Sequence, residues 1–373
     1  MYTKIFIIAT VCVAVLFYGF KHTASPAVAT TVADGSDTAD YAVNPEPVAV
    51  QACLADTGIN KIICLANAFK AQLTPEQLKS VQLGYSVTDA QRWSNLPPSF
   101  LRGSEAHVGL RFGLMTKIQI QYAKALLKAA SGSDDNEGWD ELQQLINAEQ
   151  YLQKSSGGGD MFGAGQYYIS FLGIPAKTGT FELQYGGHHT AFSNTYKDGA
   201  LSGSTPSFRG VEPFATFTWH GKNNQPIQQE QAAMSAMLSS LTAAQQATAK
   251  LSGTYADLLA GPHKDGQFPA KPSGIKCSEL NASQKTLVLQ AINTYVSDLA
   301  GADAKAVIKK YTAELDNTYI SFSGTTGLLT RNDYVRLDGP SLWIEYSCQG
   351  GIVLPPTHPH SVWRDKKTDY GGN

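Results

Sequence analysis

The sequence predicts an α+β fold in which helical segments pack around a strand-rich, mainly antiparallel central region. Of the 373 residues, 43% are apolar and 16% are charged, which is the composition of a globular protein with a sizeable core. Amphipathic stretches come in blocks, and stretches rich in aromatic and β-branched residues lie between the blocks. Helices and strands that do not alternate strictly are typical of the α+β class.

Four helix starts carry the same local signal, an apolar residue followed by Thr or Asn and then by Gln three positions later. This pattern is a capping box with an apolar residue placed for a hydrophobic staple. It predicts helices that begin at about residues 75, 117, 243 and 282. Further helices are expected over about Trp139 to Leu152 and Gln231 to Leu251. The spacings between the four boxes are irregular, so they are not interpreted as repeats.

Strands are expected where aromatic and β-branched residues are interrupted by Gly, Pro and Asn. Five segments meet this description, and they lie in the middle and the last part of the chain. They are Gly165 to Ile174, Thr180 to Tyr196, Pro213 to Trp219, Tyr319 to Ser323 and Tyr334 to Cys348.

The amino terminus predicts export. Residues 1–29 have the pattern of an export signal or membrane anchor, because Lys4 precedes an apolar run that ends at Phe20, and small residues fit a cleavage site after Ala29. Residues 30–48 are expected to form a flexible linker, and residues 49–373 a single globular domain. The protein is therefore expected to be periplasmic or extracellular, or tethered to the inner membrane by an uncleaved leader.

Four cysteines follow the leader, namely Cys53, Cys64, Cys277 and Cys348. An even number in an exported protein predicts disulfides, and four cysteines allow three pairings. The local pairing of Cys53 with Cys64 would leave Cys277 with Cys348. Zinc binding by these thiols is disfavoured because no Cys-x-x-Cys pair exists.

Charge narrows the class of partner. The net charge is -2, so no basic surplus favours nucleic acid or an anionic membrane surface. A small-molecule substrate or a metal ion is the expected partner. Contact with a membrane is expected only through an uncleaved leader.

Two histidine groups are the clearest candidates for chemistry. In His358-Pro359-His360 the proline favours an extended backbone, so both imidazoles face the same way and can converge on one metal ion. In His188-His189 adjacent strand residues would point to opposite faces, but the two preceding glycines could re-aim both. These four histidines are candidate ligands of a transition metal, and zinc, copper and iron all accept imidazole.

Other polar residues could complete the site. Asp365 and Glu212 are candidates for a catalytic base or for a carboxylate that orients a histidine. Arg364 and Asn194 are candidates for substrate binding. Glu345 lies in a strand beside core residues, where it either faces solvent or is held for a purpose.

The ordered motifs of the chain are similar to those of the bacterial domain-of-unknown-function family numbered thirty-five hundred. The similarity runs from about Arg92 to Gly372 and implies that the two histidine groups belong to one family-wide pattern. The family has no settled activity, so the resemblance names no substrate. The motifs include Trp93-Ser94-Asn95-Leu96-Pro97, Gly187-His188-His189 with Asn194, Gly210-Val211-Glu212-Pro213, Asp338-Gly339-Pro340, and His358-x-His360-x-Val362-x-Arg364-Asp365.

We therefore expect an exported protein whose histidine-rich site binds a transition metal and acts as a metal-dependent hydrolase. One alternative is a metal-free enzyme in which a histidine is the general base. Another is a non-catalytic ligand-binding or structural protein whose histidines are hydrogen-bonded scaffolding. The distance between the imidazole nitrogens of His189 and His360 separates these hypotheses, because ligands of one ion lie roughly 3 to 4 Å apart.

Overall fold

The computed structural model describes residues 47–355 and 357–372. The predicted leader, and the predicted linker up to residue 46, lie outside the described residues. Within these ranges no helix is long and apolar enough to cross a membrane. The helices are α1 (Gly58–Lys70), α2 (Pro75–Val81), α3 (Val87–Ala90), α4 (Lys117–Ala129), α5 (Gly138–Ser155), α6 (Gln228–Ser239), α7 (Ala243–Ala249), α8 (Ala282–Val296) and α9 (Gly301–Glu314).

Most strands belong to one large sheet of twelve strands, and β8 and β9 form a separate hairpin. The strands are β1 (Gln82–Leu83), β2 (Leu110–Arg111), β3 (Tyr168–Leu172), β4 (Thr180–Gly187), β5 (Thr190–Lys197), β6 (Ala200–Gly203), β7 (Ser207–Gly210), β8 (Phe217–Trp219), β9 (Lys222–Asn224), β10 (Ile275–Lys276), β11 (Tyr319–Ser323), β12 (Tyr334–Asp338), β13 (Leu342–Gly350) and β14 (Thr357–Asp365).

The main path of the large sheet runs β1-β3-β4-β5-β7-β14-β13-β12-β11-β10, with β2 added to β3 and β6 to β5. Every strand pair except β1 with β3 is antiparallel. The predicted α+β class is confirmed.

The capping boxes set the helix starts as predicted. Thr74, Thr116, Thr242 and Asn281 each accept a hydrogen bond from the backbone N–H of a Gln three positions later, and that Gln side chain bonds back to the cap. The third box also divides the helix expected over Gln231 to Leu251. There α6 ends at Ser239 and α7 begins at Ala243, because the chain must leave helical geometry to form a cap.

The described chain contains the same set of elements twice. The strand order is symmetric about the β7–β14 pair, with β5, β4 and β3 on one side and β13, β12 and β11 on the other. The helices α1, α2, α4 and α5 precede the first set, and α6, α7, α8 and α9 precede the second. We call residues 58–210 the amino-terminal half and residues 228–365 the carboxyl-terminal half.

Side-chain contacts repeat with the elements. The capping glutamines Gln77 and Gln119 bond to each other through Nε2 to Oε1 contacts of 3.2 and 2.8 Å. Gln245 and Gln284 do the same at 3.3 and 2.8 Å. The strands β3 and β11 begin with the same four residues, Tyr-Ile-Ser-Phe, and each pairs with a two-residue edge strand at its Ile. The halves therefore share one architecture although their spacings differ.

The two faces of the sheet are covered differently. The helices of both halves pack on one face, where apolar side chains from β3, β4, β11 and β13 form two large cores with them. A smaller cluster on the other face joins Trp93, Phe208, Val362 and Tyr370 to long irregular segments. Polar strand residues that point to this second face can therefore meet loops and solvent rather than helices.

One predicted disulfide is present and the other is not. Cys53 and Cys64 are bonded, and their Cα atoms lie 5.7 Å apart. Cys277 and Cys348 are buried free thiols, so the prediction that they pair is wrong. Cys277 follows β10 and Cys348 lies in β13, three strands away across the sheet. Three strand spacings amount to roughly 14 Å, well beyond the reach of a disulfide.

Candidate metal centre

His188 and His189 form the two-residue turn of the β4–β5 hairpin, where Gly187 pairs with Thr190. The backbone φ of His189 is 102°, a region that residues with a side chain rarely adopt. In this turn the two imidazoles stack on each other with ring centroids 3.6 Å apart, and both are buried. The turn therefore aims both side chains into one place, which a regular strand would not do.

His358 and His360 lie two residues apart on β14 and face the same side, as the sequence predicts. Their Nε2 atoms are 3.1 Å apart. Tetrahedral zinc with Zn–N bonds of 2.0–2.1 Å places neighbouring ligand nitrogens roughly 3.3 Å apart. The pair is therefore already at the spacing of two ligands of one ion.

Strand β7 brings the hairpin turn and β14 together. Gly210 pairs with His360 on one side, and its N–H donates to the carbonyl of His189 at 2.7 Å on the other. A Cβ atom at position 210 would lie 2.7 Å from Cδ2 of His189 and 3.0 Å from Cδ2 of His360. Glycine is required here because the two rings occupy the space of a side chain.

Three of the histidines form one group that could hold a metal ion. One ring nitrogen from each of His189, His358 and His360 lies within 4.8 Å of the others, and all three residues are buried. Nε2 of His189 has no hydrogen-bond partner among the described residues. Buried polar atoms rarely lack a partner, so this nitrogen is suited to a ligand.

Glu149 on α5 holds the hairpin turn from the helix side. Its Oε1 lies 2.8 Å from Nδ1 of His188 and 3.3 Å from Nδ1 of His189. Glu149, His188 and His189 form a second group whose ligand atoms lie within 4.8 Å of one another. A carboxylate on the Nδ1 of a histidine fixes its tautomer and leaves Nε2 to bind metal.

His360 has polar neighbours on its Nδ1 as well. Asp257 Oδ1 lies 3.3 Å away, and Asn95 Nδ2 lies 3.5 Å away. Both come from irregular segments on the face of the sheet opposite the helices. The Nε2 of His360 therefore points inward to His358 while its Nδ1 meets groups nearer the surface.

Burial sets the protonation of the group. Desolvation, followed by the charges of His188, His358 and His360, lowers the pKa of His189 well below its usual range. Desolvation and neighbouring His360 lower the pKa of His358 to about 3. Both imidazoles are therefore neutral at neutral pH, which is the form that binds a metal.

The predicted carboxylates lie elsewhere. Glu212 is two residues beyond Gly210, but its Oε1 accepts from the backbone N–H groups of Val353 and Leu354 at 2.8 and 2.5 Å. It thus holds the segment that leads into β14. Asp365 lies five residues beyond His360 and on the other face of β14, where Lys310 and the hydroxyl of Tyr311 contact it.

The predicted substrate-binding residues are not at the centre either. Arg364 lies four residues beyond His360, and it bonds to Asp265 at 2.5 Å and Asp369 at 2.7 Å. Asn194 donates to the carbonyl of Ala130 at 3.1 Å, on the helix side of the sheet. Both side chains have structural partners and neither contacts a histidine of the group.

Glu345 is buried and hydrogen-bonded rather than exposed to solvent. Its buried carboxylate accepts from the N–H groups of Leu259 and Ala260 at 2.7 and 2.8 Å. The hydroxyl of Tyr334 donates to it at 2.6 Å and Nε1 of Trp343 at 2.7 Å. Four donors fix this carboxylate, so it anchors the segment that carries Asp257.

No site role was predicted from the sequence for Glu149, Asn95 or Asp257, although Asn95 lies in one of the family motifs. Glu149 follows Leu145, Ile146 and Ala148 on the buried face of α5, and a carboxylate on that face is the signal that could have found it. Asn95 and Asp257 lie in segments without periodicity. No local pattern marks their approach to His360.

Comparison with known proteins places the chain in a family. Residues 55–372 match the family described as "Protein of unknown function (DUF3500)". The chain belongs to this family. The resemblance drawn from the motifs is thereby confirmed, and the matched range covers both halves of this DUF3500 protein. No curated protein and no solved structure gives a significant match.

Proposed function

We propose that this DUF3500 protein binds one transition-metal ion through His189, His358 and His360 and uses it as an exported metal-dependent hydrolase. The observation that carries the proposal is the convergence of three buried imidazoles whose ligand nitrogens lie within 4.8 Å of one another. Glu149 would orient His189, and Asp257 would orient His360. His188 would pack behind His189 and share Glu149 with it.

Three histidine ligands suit a catalytic ion because they leave a fourth position for water. A bound transition metal would lower the pKa of its water and would so supply a nucleophile for the hydrolysis of an acyl bond. Zinc, copper and iron all fit imidazole ligands. Export is supported by the Cys53–Cys64 disulfide, since such bonds persist in oxidising compartments.

Metal content tests the proposal directly. The protein should be purified without a histidine tag, stripped with a chelator and reloaded separately with Zn²⁺, Cu²⁺ and Fe²⁺. We expect about one equivalent of at least one metal, as three converging imidazoles predict. His189→Ala and His360→Ala should each reduce it to less than about a tenth of an equivalent. The exposed His220 supplies the matched control, since His220→Ala should retain the metal.

Two results would contradict the proposal, one its metal centre and the other its hydrolase activity. If wild-type protein holds less than about a tenth of an equivalent after each reloading, the metal centre is wrong. The histidines would then be hydrogen-bonded scaffolding, for which the 2.8 Å contact of His188 with Glu149 would already be a sufficient role. If metal binds but no chelator-sensitive hydrolysis of neutral ester or amide probes is found, the ion is structural.

A further inference from the structure

Two long irregular segments cover the face of the sheet opposite the helices. Residues 84–109 link β1 to β2 and contain only the one-turn helix α3 and short 3-10 turns. Residues 251–274 occupy the equivalent place in the carboxyl-terminal half, between α7 and β10. Long connections of this kind in a domain are usually functional. We call them the first and second covering loops.

Buried polar side chains of the sheet pin both loops. Gln184 donates to the carbonyl of Ala90 in the first loop at 2.8 Å. Glu345 accepts from two backbone N–H groups of the second loop, and Arg364 donates to its Ala260 carbonyl at 3.3 Å. The loops are therefore held in fixed positions above the strands.

A cleft of about 240 Å³ lies between the two loops. It takes lining residues from both, and two of these residues contact a histidine of the candidate metal centre. Asn95 of the first loop and Asp257 of the second both line the cleft and both contact Nδ1 of His360. The side chain of Asp257 is 55% exposed while that of His360 is 9% exposed, so this contact joins the surface of the cleft to a buried histidine.

The lining of the cleft is apolar with a small negative excess. Leu96, Leu101, Leu258 and Pro262 supply apolar surface, and Ser94 and Asn95 supply neutral polar groups. The lining contains the two carboxylates of Glu105 and Asp257, the one ammonium of Lys264 and the imidazole of His263. An anion entering this cleft would meet like charge, whereas a neutral or cationic molecule would not.

We propose that this cleft is the substrate site, and that it takes a small neutral or cationic molecule with an apolar group. The inference rests on the proposed metal centre for its chemistry, but the cleft itself is independent of the ion. At about 240 Å³ it is smaller than sites for drug-sized ligands, which occupy roughly 300 to 1,000 Å³. It therefore admits a small molecule or the end of a longer one.

Three probes of one shape test the cleft and its charge preference. Benzamide, benzamidine and benzoate share an aromatic ring and carry a neutral, a cationic and an anionic group. Their binding to the full chain can be followed by ligand-observed NMR. We expect benzamide and benzamidine to bind at least about tenfold more tightly than benzoate, with dissociation constants of order millimolar for fragments of this size.

A variant that fills the cleft locates the binding. Leu96 is 44% exposed and lines the cleft, so Leu96→Trp adds bulk there without disturbing a core. It should weaken benzamide binding at least about tenfold and leave the metal content unchanged. Leu329 is 59% exposed and does not line the cleft, so Leu329→Trp is the matched control and should bind benzamide normally.

The outcomes separate the cleft from the metal centre. If no probe binds, if benzoate binds best, or if Leu96→Trp has no effect, the cleft proposal is wrong whether or not the protein holds metal. If benzamide binding depends on Leu96 in a protein that takes up no metal, the cleft stands and the metal proposal fails.

Discussion

The same hairpin turn occurs in both halves, but its residues and their polar contacts differ. His188 and His189 connect β4 to β5, and the register of the paired strands places Pro340 and Ser341 in the equivalent turn between β12 and β13. The next strand is docked in the same way in both halves. The N–H of Gly210 donates to the carbonyl of His189 at 2.7 Å, and that of Lys366 donates to the carbonyl of Ser341 at 2.8 Å.

A helix carboxylate holds the turn in each half, but the residues of the two turns differ in how their polar atoms are paired. In the carboxyl-terminal half Glu314 accepts from the N–H and hydroxyl of Ser341 at 2.9 and 2.7 Å. Lys366 bonds to Asp338 at 2.5 Å and to the carbonyl of Gly339 at 2.9 Å. The equivalent place in the amino-terminal half has glycine instead of lysine and leaves imidazole nitrogens without partners in the described structure.

The backbone of the turn alone therefore does not make the candidate metal centre. The turn at Ser341 is held by internal ion pairs and hydrogen bonds. The turn at His188 and His189 has imidazoles instead, and Gly210 stands where the other half has Lys366. A buried group of polar atoms without partners is unfavourable unless a ligand completes it. The comparison therefore supports a ligand at the histidines and none at Ser341.

The largest expected effect comes from closing the space that Gly210 leaves. In Gly210→Ala the new methyl group would press against the rings of His189 and His360, at 2.7 and 3.0 Å. The two ligands would be forced apart by a few tenths of an ångström or more. We expect metal affinity to fall by more than about a thousandfold, because ligand geometry must hold to within about 0.2 Å. Titration of stripped protein with Zn²⁺ against a competing chelator measures it.

Gly301→Ala is the control for this change. Gly301 begins α9 in the other half, and apart from its chain neighbours and the backbone of its own helix no described atom lies within 4 Å of the position its Cβ would take. It should bind metal as wild type does. Unchanged metal affinity in folded Gly210→Ala protein would mean that His189 and His360 do not share an ion.

Local sequence signals predicted the helix starts because a capping box is a short-range contact. The glutamines at positions 77, 119, 245 and 284 could be found from spacing alone. Their mutual bonding could not, because it joins helices that are far apart in the chain. The duplication was missed for the same reason. The boxes are spaced differently in the two halves, and the Tyr-Ile-Ser-Phe shared by β3 and β11 is a further signal that could have revealed it.

The histidines of the site could be predicted from the sequence, but its carboxylates could not. His358 and His360 are two apart in an extended segment, so their convergence follows from strand geometry. Asp365 is close to them in sequence but faces the opposite side, while Asp257 is distant in sequence and contacts His360. Long-range pairing decides which carboxylate reaches a histidine, and a single sequence carries no local signal for it.

A second expected effect concerns two buried strand carboxylates, one chosen from each half. Glu182 on β4 accepts from Thr195 at 2.9 Å and Gln184 at 3.3 Å, and desolvation raises its pKa to about 7. Because its folded pKa lies above its unfolded value, its protonated form stabilises the fold fully below about pH 4.5. This stability is lost as pH rises through about 7.

Glu182→Gln should therefore gain stability relative to wild type by about 2 to 3 kcal/mol on going from pH 5 to pH 8. Urea unfolding at the two pH values measures the change. Glu345→Gln is the contrast from the other half. It should lower stability at both pH values, because an amide NH₂ would face the N–H groups of Leu259 or Ala260. An equal effect of Glu182→Gln at both pH values would show that Glu182 folds in its charged form.

The smallest expected effect compares the two helix carboxylates. Glu149→Gln keeps the size of the side chain but replaces the carboxylate that faces Nδ1 of His188 and His189. Loss of such a partner typically weakens metal affinity about 10- to 100-fold. Glu314→Gln makes the same change beside Ser341, where no imidazole lies, and should leave metal affinity unchanged. It should instead cost about 1 to 3 kcal/mol of unfolding free energy, because Gln cannot accept both bonds from Ser341 as well.

Measuring both quantities on both variants makes the comparison decisive. Metal affinity from chelator competition should respond to Glu149 alone, and stability of the metal-free protein should respond to Glu314. If the two variants lose metal affinity equally, the cause is a general destabilisation of the sheet. In that case Glu149 has no special relation to the ion. If Glu149→Gln binds metal as tightly as wild type, the contacts of Glu149 with His188 and His189 serve the turn rather than the centre, and the two halves use their helix carboxylates for the same structural purpose.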